Sequence, residues 1–141
     1  MILRVCLLCI FFAGAAEVSA STYYVSASEG NDSNNGQSMA SPFQSIEHLN
    51  GMTFAAGDSI LFQSGDYWEG MFWIQGTGSE EERIVVGKYG GYERPVLNGF
   101  GYQACLLVYN DSYIDIQDLE LYNEASHLDA QGAVKKLDGF V

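Results

Sequence analysis

From Asp58 onward the apolar residues come in short runs, each cut off by Gly, Asn or Asp. The runs are Ile60-Leu61-Phe62, Met71 to Ile74, Ile84-Val85-Val86, Pro95-Val96-Leu97, Cys105 to Val108 and Tyr113 to Tyr122. Most are too short for a helix and rich in β-branched or aromatic residues, so they are expected to be strands. In the last run, Ile114, Ile116, Leu119 and Leu121 alternate with Asp115 and Glu120, and the phase slips once at Gln117-Asp118. Two short strands meeting at a bend have this pattern, with the apolar set kept inward on both. The spacing between runs points further. Phe62 to Val85 is 23 residues and Val85 to Leu107 is 22, while Ile74, Val96 and Leu119 follow at 22 and 23. Two interleaved series of nearly one period predict stacked turns of chain rather than a meander. Asn98, Asn110 and Asn123 each follow an apolar run. There an Asn tolerates the left-handed backbone that a sharp corner needs.

The residues before Asp58 are organised differently. Thr22-Tyr23-Tyr24-Val25 is a β-rich opening, and Glu29 to Gln37 is a loop dense in Gly, Asn, Asp and Ser. Ser41 followed by Pro42 predicts an N-cap with Pro at the first helical position. Phe43, Ile46 and Leu49 then give a short helix one apolar face, and Asn50-Gly51 ends it. Met1 to Ala20 has the pattern of a secretory signal peptide. Arg4 is the positive region, Val5 to Ala16 the apolar run, and Val18-Ser19-Ala20 the small residues before a cut between Ala20 and Ser21. The apolar run falls short of the roughly twenty residues that span a bilayer. A secreted protein, extracellular or periplasmic, with no membrane association after cleavage, is therefore expected.

Composition narrows the partners. Eighteen Asp and Glu stand against six Lys and Arg, a net charge of −12, and cleavage leaves it unchanged because Arg4 and Glu17 depart together. Nucleic-acid binding needs clustered bases and is excluded, as is attraction to anionic membranes. Cleavage also removes Cys6 and Cys9, so Cys105 is left with no partner for an intrachain disulfide. It lies in an apolar run and reads as a small packing residue rather than a catalytic thiol.

A family resemblance rests on an ordered set of motifs. Tyr23-Tyr24-Val25 is followed by Gly30-Asn31-Asp32-Ser33-Asn34-Asn35-Gly36, then Ser41-Pro42-Phe43-Gln44-Ser45-Ile46, then Ala56-Gly57-Asp58-Ser59-Ile60-Leu61-Phe62, then Gly65-Asp66-Tyr67. This order resembles the opening of secreted right-handed parallel β-helix proteins of the pectate-lyase-like superfamily, and Tyr113 to Leu121 resembles one of their coil segments. The resemblance spans roughly Tyr23 to Glu124 and implies an all-β fold of about three coils with a short capping helix. It also implies a polysaccharide partner, held along a groove on the coil face. In the lyases of the superfamily, Asp and Glu ligands hold Ca²⁺ against a uronate while a Lys or Arg takes the proton. Hydrolases, epimerases and non-catalytic adhesins share the fold.

Measured against that chemistry, individual residues offer little. Asp115 and Glu120 are expected to face solvent, and two carboxylates fall short of a Ca²⁺ site. Asn31 to Gly36 fails as an EF-hand loop, because the twelfth position from Asn31 is Pro42 where Glu is needed. Lys135-Lys136 are the only adjacent bases after the signal and are read as exposed, as are Arg83, Arg94 and Glu80-Glu81-Glu82. His48 and His127 show no partner in sequence. Tyr67, Trp68, Phe72 and Trp73 cluster within seven residues, and one parity set, either Trp68, Phe72 and Ile74 or Tyr67, Met71 and Trp73, is expected in the core. Asn31 and Asn110 head glycosylation triplets.

The resulting expectation divides the chain into four parts. They are a signal at 1–20, a strand, loop and capping helix at 21–57, parallel β-helix coils at 58–123, and an irregular tail at 124–141. The chain is expected to be the N-terminal part of a polysaccharide lyase or hydrolase, with catalytic residues beyond Val141. No cofactor is expected within it, and Ca²⁺ is admitted for the full-length protein. A non-catalytic glycan-binding or matrix protein, or an inactive fragment, is the alternative. An uncapped last coil is expected to expose apolar strand edges and to promote self-association.

Overall fold

Each short apolar run from Asp58 onward forms a strand, and all of the strands pair in parallel. The computed structural model describes residues 19–124. In chain order these hold β1 (Thr22–Val25), α1 (Ile46–Asn50), β2 (Ser59–Gln63), β3 (Tyr67–Glu69), β4 (Phe72–Ile74), β5 (Ile84–Tyr89), β6 (Val96–Asn98), β7 (Leu106–Val108), β8 (Ile114–Ile116) and β9 (Glu120–Tyr122). The strands make three sheets, ordered β1-β2-β5-β8, β3-β6-β9 and β4-β7. From β2 on, the chain visits the first, second and third sheet in turn and then repeats the circuit. Neighbours within a sheet therefore come from successive circuits. This mostly β, all-parallel arrangement is compatible with a parallel β-helix.

The core is the set of inward positions stacked from one circuit to the next. Ile60 aligns with Val86 and Val86 with Ile116, while Trp68 aligns with Leu97 and Leu97 with Leu121. Phe62 sits at the centre, with edge-to-face contacts to Trp68 at 4.9 Å and Phe72 at 5.7 Å between ring centroids. Exposure rises along the stack: Ile60 and Val86 are at 0%, whereas Ile116 and Leu121 are each at 41%. Among the described residues, no strand pairs with the far side of β8 or β9.

Residues 43–50 run across the leading edges of all three sheets. Phe43 bridges Val25 in parallel, its N–H donating to the Tyr24 carbonyl at 2.9 Å and its carbonyl accepting from Ser26 at 2.9 Å. The carbonyl of Gln44 accepts the indole N–H of Trp68 at 2.9 Å. Asn50 then treats β4 as a neighbouring strand would. Its amide donates to the Met71 carbonyl at 2.9 Å and accepts from the Trp73 N–H at 2.8 Å. Strand edges that would otherwise offer unpaired groups are thus closed from within the chain. Phe43, Ile46 and Leu49 are buried beneath.

The helix itself starts later than Ser41-Pro42 implied. Its N-cap is Ser45, whose Oγ accepts the His48 N–H at 3.0 Å. The bridge to Val25 holds Phe43 extended, and the Pro42 carbonyl accepts from Asn31 and Asn34, so no helical turn can begin there.

The two even series of apolar runs also require correction. Val85 pairs with Asp115, Phe62 with Lys88, and Leu107 with Trp73. The true steps are uneven, from 24 residues (Leu97 to Leu121) to 34 (Phe72 to Leu106). Register follows the backbone ladder and inward packing, while the connecting loops absorb differences in length. The bend expected at Gln117-Asp118 is present, with Asp118 at φ 58° between β8 and β9. Of the three asparagines assigned to corners, only Asn110 is left-handed, at φ 59°.

Candidate functional site

The local sequence Tyr67-Trp68-Glu69 alternates, and burial of Trp68 under Phe62 turns Tyr67 and Glu69 to the opposite, outward face. Leu97 does the same for Val96 and Asn98, and Leu121 for Glu120 and Tyr122. The register places Glu69, Asn98 and Tyr122 in one outward row and Tyr67, Val96 and Glu120 in the next. The second sheet therefore carries a compact set of two tyrosines, two glutamates and one asparagine.

Tyr67, Glu69 and Asn98 are joined by hydrogen bonds. The Tyr67 hydroxyl donates to Glu69 Oε1 at 3.1 Å and accepts from Asn98 Nδ2 at 3.0 Å. Asn98 is buried, and its Oδ1 accepts from the backbone N–H groups of Phe100 at 2.9 Å and Glu124 at 3.1 Å. That oxygen is used within the fold, and its amide nitrogen fixes the position of the phenol. Burial pushes the Tyr67 hydroxyl above its ordinary value. The Asn98 amide works the other way, while Glu69 and Tyr122 add to the rise. Tyr67 thus stays a neutral phenol with one acceptor site left on its hydroxyl, and its exposed ring offers an apolar face.

Other carboxylates are occupied by the fold. Asp66 accepts the hydroxyls of Ser26 and Ser28, each at 2.8 Å, one on each oxygen, which ties the first loop to the turn between β2 and β3. Asp115 is bound to Arg83, Nε to Oδ2 at 2.8 Å, and lies on the first sheet while Glu120 lies on the second. The two candidate Ca²⁺ ligands are therefore not brought together. Among the described residues, no three His, Cys, Asp or Glu side chains converge as a metal site. The Asn31–Gly36 segment is an ordered turn, with Asn31 Oδ1 accepting the Ser33 N–H at 2.8 Å.

The aromatic cluster divides at Gly70, whose φ of 122° separates β3 from β4. Trp68, Phe72 and Ile74 are buried, but so is Met71 of the other parity set; Trp73 is half-buried and Tyr67 is exposed, so the sets do not separate cleanly. Nothing local in the sequence marks Asn98, Glu69 and Tyr122 as partners of Tyr67. The strict alternation of Tyr67-Trp68-Glu69 was the available signal, but their neighbours are set only by strand pairing. Arg94 and Glu80 to Glu82 are exposed, and His48 tilts against the Phe43 ring at 4.3 Å. Cys105 is half-buried. Lys135, Lys136, His127, most of the signal segment and most of the tail lie outside the described residues.

No family model matches the chain. A lacto-N-biosidase from Bifidobacterium longum subsp. longum is 28% identical over an alignment of 134 residues, covering 75% of this chain and 8% of that protein. The GH136 lacto-N-biosidase from Eubacterium ramulus superposes with a TM-score of 0.71 as its selenomethionine derivative and 0.68 as the native protein. In both structures the identity is 22%, and the match covers 82% of this chain and 23% of that one. The chain thus spans less than a quarter of the length of the proteins it matches, and its likeness to the solved structures is one of fold.

Proposed function

We propose that this chain forms the leading coils of a right-handed parallel β-helix in a secreted glycoside hydrolase, and that its part is to hold a neutral glycan. The observation that carries this reading is the set Tyr67, Glu69 and Tyr122 on the outward face of the second sheet, with Tyr67 fixed by its bonds to Glu69 and to the buried Asn98 beneath it. A neutral phenol and carboxylates match sugar hydroxyls, while the Asn98 amide holds the phenol in place. Glu69 and Glu120 on the same face, in a chain of net charge −12, oppose a uronate. The right hand is the one that parallel crossovers take almost without exception, and secretion is supported by the pattern of Met1 to Ala20. The similarity to lacto-N-biosidases supports hydrolase over lyase chemistry for the protein that carries these coils.

The role assigned is binding rather than cleavage. Asp32, Asp58 and Asp66 each spend their carboxylate oxygens on hydrogen bonds within the fold. Calorimetric titration of the full chain with neutral oligosaccharides and with polyuronates, each with and without Ca²⁺, tests the reading. Neutral glycans should bind without Ca²⁺ and without release of product. Tyr67→Ala should weaken binding about tenfold, a loss of stacking and hydrogen bonding together. Replacing the fully exposed Tyr92 should change nothing. A preference for uronates that requires Ca²⁺ would instead favour the lyase reading.

A further inference from the structure

Asp58 is 4% exposed, yet among the described residues no Lys, Arg or His side chain pairs with it. Its two oxygens accept backbone N–H groups instead: Oδ2 from Ala55 at 2.9 Å, and Oδ1 from Ser21 at 2.8 Å. A buried carboxylate without a cation is unusual, because desolvation penalises the charge. The second donor is the notable one. Ser21 is the residue that follows Val18-Ser19-Ala20, the small-residue pattern of a leader-peptidase site. Ser19 and Ala20 are exposed and Ser21 is half-buried, so the change from surface to fold falls at that bond. The Ser21 carbonyl then accepts the Ser59 N–H at 2.8 Å, and β1 pairs with β2 from Thr22 onward.

We propose that the Ala20–Ser21 bond is a processing site and that Asp58 is the built-in receptor for the amine that processing creates. Hydrolysis by a leader peptidase breaks the C–N bond. Water supplies the oxygen that makes Ala20 a carboxylate, and its hydrogens, with the charge balance kept, convert the Ser21 nitrogen to an ammonium. The same nitrogen that donates to Asp58 as a neutral amide then donates as a cation. The buried carboxylate gains the partner that no side chain among the described residues supplies, and β1 is fastened at the outer edge of its sheet by a charged contact. Cleavage during export precedes folding, so the new terminus is free when β1 docks. Ser26, Phe43 and the capping segment all hang on β1, so that contact secures the capped end of the stack.

The test uses the full chain, exported from a secreting bacterial host. Intact mass and terminal sequencing of the product should show Ser21 first; a product beginning elsewhere, or uncut, overturns the proposal. The native product is then treated near neutral pH with an amine-acylating reagent, and labelling at the Ser21 nitrogen is compared with that of the same chain in denaturant. Pairing with a buried carboxylate holds an amine in its charged, unreactive form, so at least about tenfold protection is expected. Labelling at the denatured rate overturns the ion pair even where the cut is correct. Asp58→Asn should abolish the protection if it folds. If it does not fold, the wild-type rate alone decides.

Discussion

The Asp32 carboxylate accepts the Ser45 hydroxyl at 2.6 Å and, through its other oxygen, the backbone N–H groups of Gln44 at 2.8 Å and Ser45 at 3.0 Å. Ser45 in turn caps α1, so a loop residue thirteen positions earlier orients the helix that closes the stack. Burial opposes ionisation of Asp32, but the Ser45 hydroxyl, the two N–H groups and nearby His48 outweigh it and hold the carboxyl below its ordinary value. A lowered carboxyl contributes stability above its unfolded value and loses it as the pH falls through the folded one. Urea unfolding should therefore show wild type weakening below about pH 4, with Asp32→Ala less sensitive there. At neutral pH, Asp32→Ala should cost about 2 kcal/mol and Ser45→Ala about 1 kcal/mol.

Gly76 has φ 133°, and a Cβ on it would run into the backbone of Phe54. Relief is blocked because Phe54 is tied to the adjacent Gln75 carbonyl at 2.8 Å. Gly76→Ala should cost at least about 2 kcal/mol by chemical denaturation. Gly51→Ala, at φ −85° with its nearest atom 3.4 Å away, should stay within about 0.5 kcal/mol.

Arg83 joins Asp115 across adjacent circuits and lies over the Tyr113 ring at 5.7 Å. Both ionic side chains are more than two-fifths exposed, so solvent screens the pair. Arg83→Ala should destabilise by less than about 1 kcal/mol, and the effect should shrink at high ionic strength in paired urea titrations.

Tyr89 stands edge-on to Tyr24 at 5.0 Å. Burial, with Asp66, Glu29 and Tyr24 nearby, pushes its hydroxyl up to about 12 from 10.0. The folded state then keeps a proton that the unfolded chain releases. Stability from this group is complete below pH 10 and is lost as the pH rises towards 12. Tyrosinate absorbance should show a phenol ionising near pH 12 that Tyr89→Phe removes, while the raised phenol of Tyr67 remains.

The pattern of residues determined the kind of structure, and tertiary contacts determined which residues meet. Short apolar runs, the phase slip at Gln117-Asp118 and the early amphipathic segment are local signals, and each has its counterpart in β2 to β9 and in α1. Hydrophobic period and turn chemistry act over a few neighbours, so they can be read along the chain. Pairing cannot. Val85 meets Asp115 rather than Leu107, because loops of unequal length bring the chain back to each sheet and only the ladder and inward packing select the partner. For the same reason Ser45 replaced Ser41 as the cap, Asp115 was taken up by Arg83, and Tyr67 found Asn98 thirty-one residues away. The sequence marked Ala20-Ser21 as a boundary, but its contact with Asp58, thirty-seven residues on, exists only because β1 lies against β2.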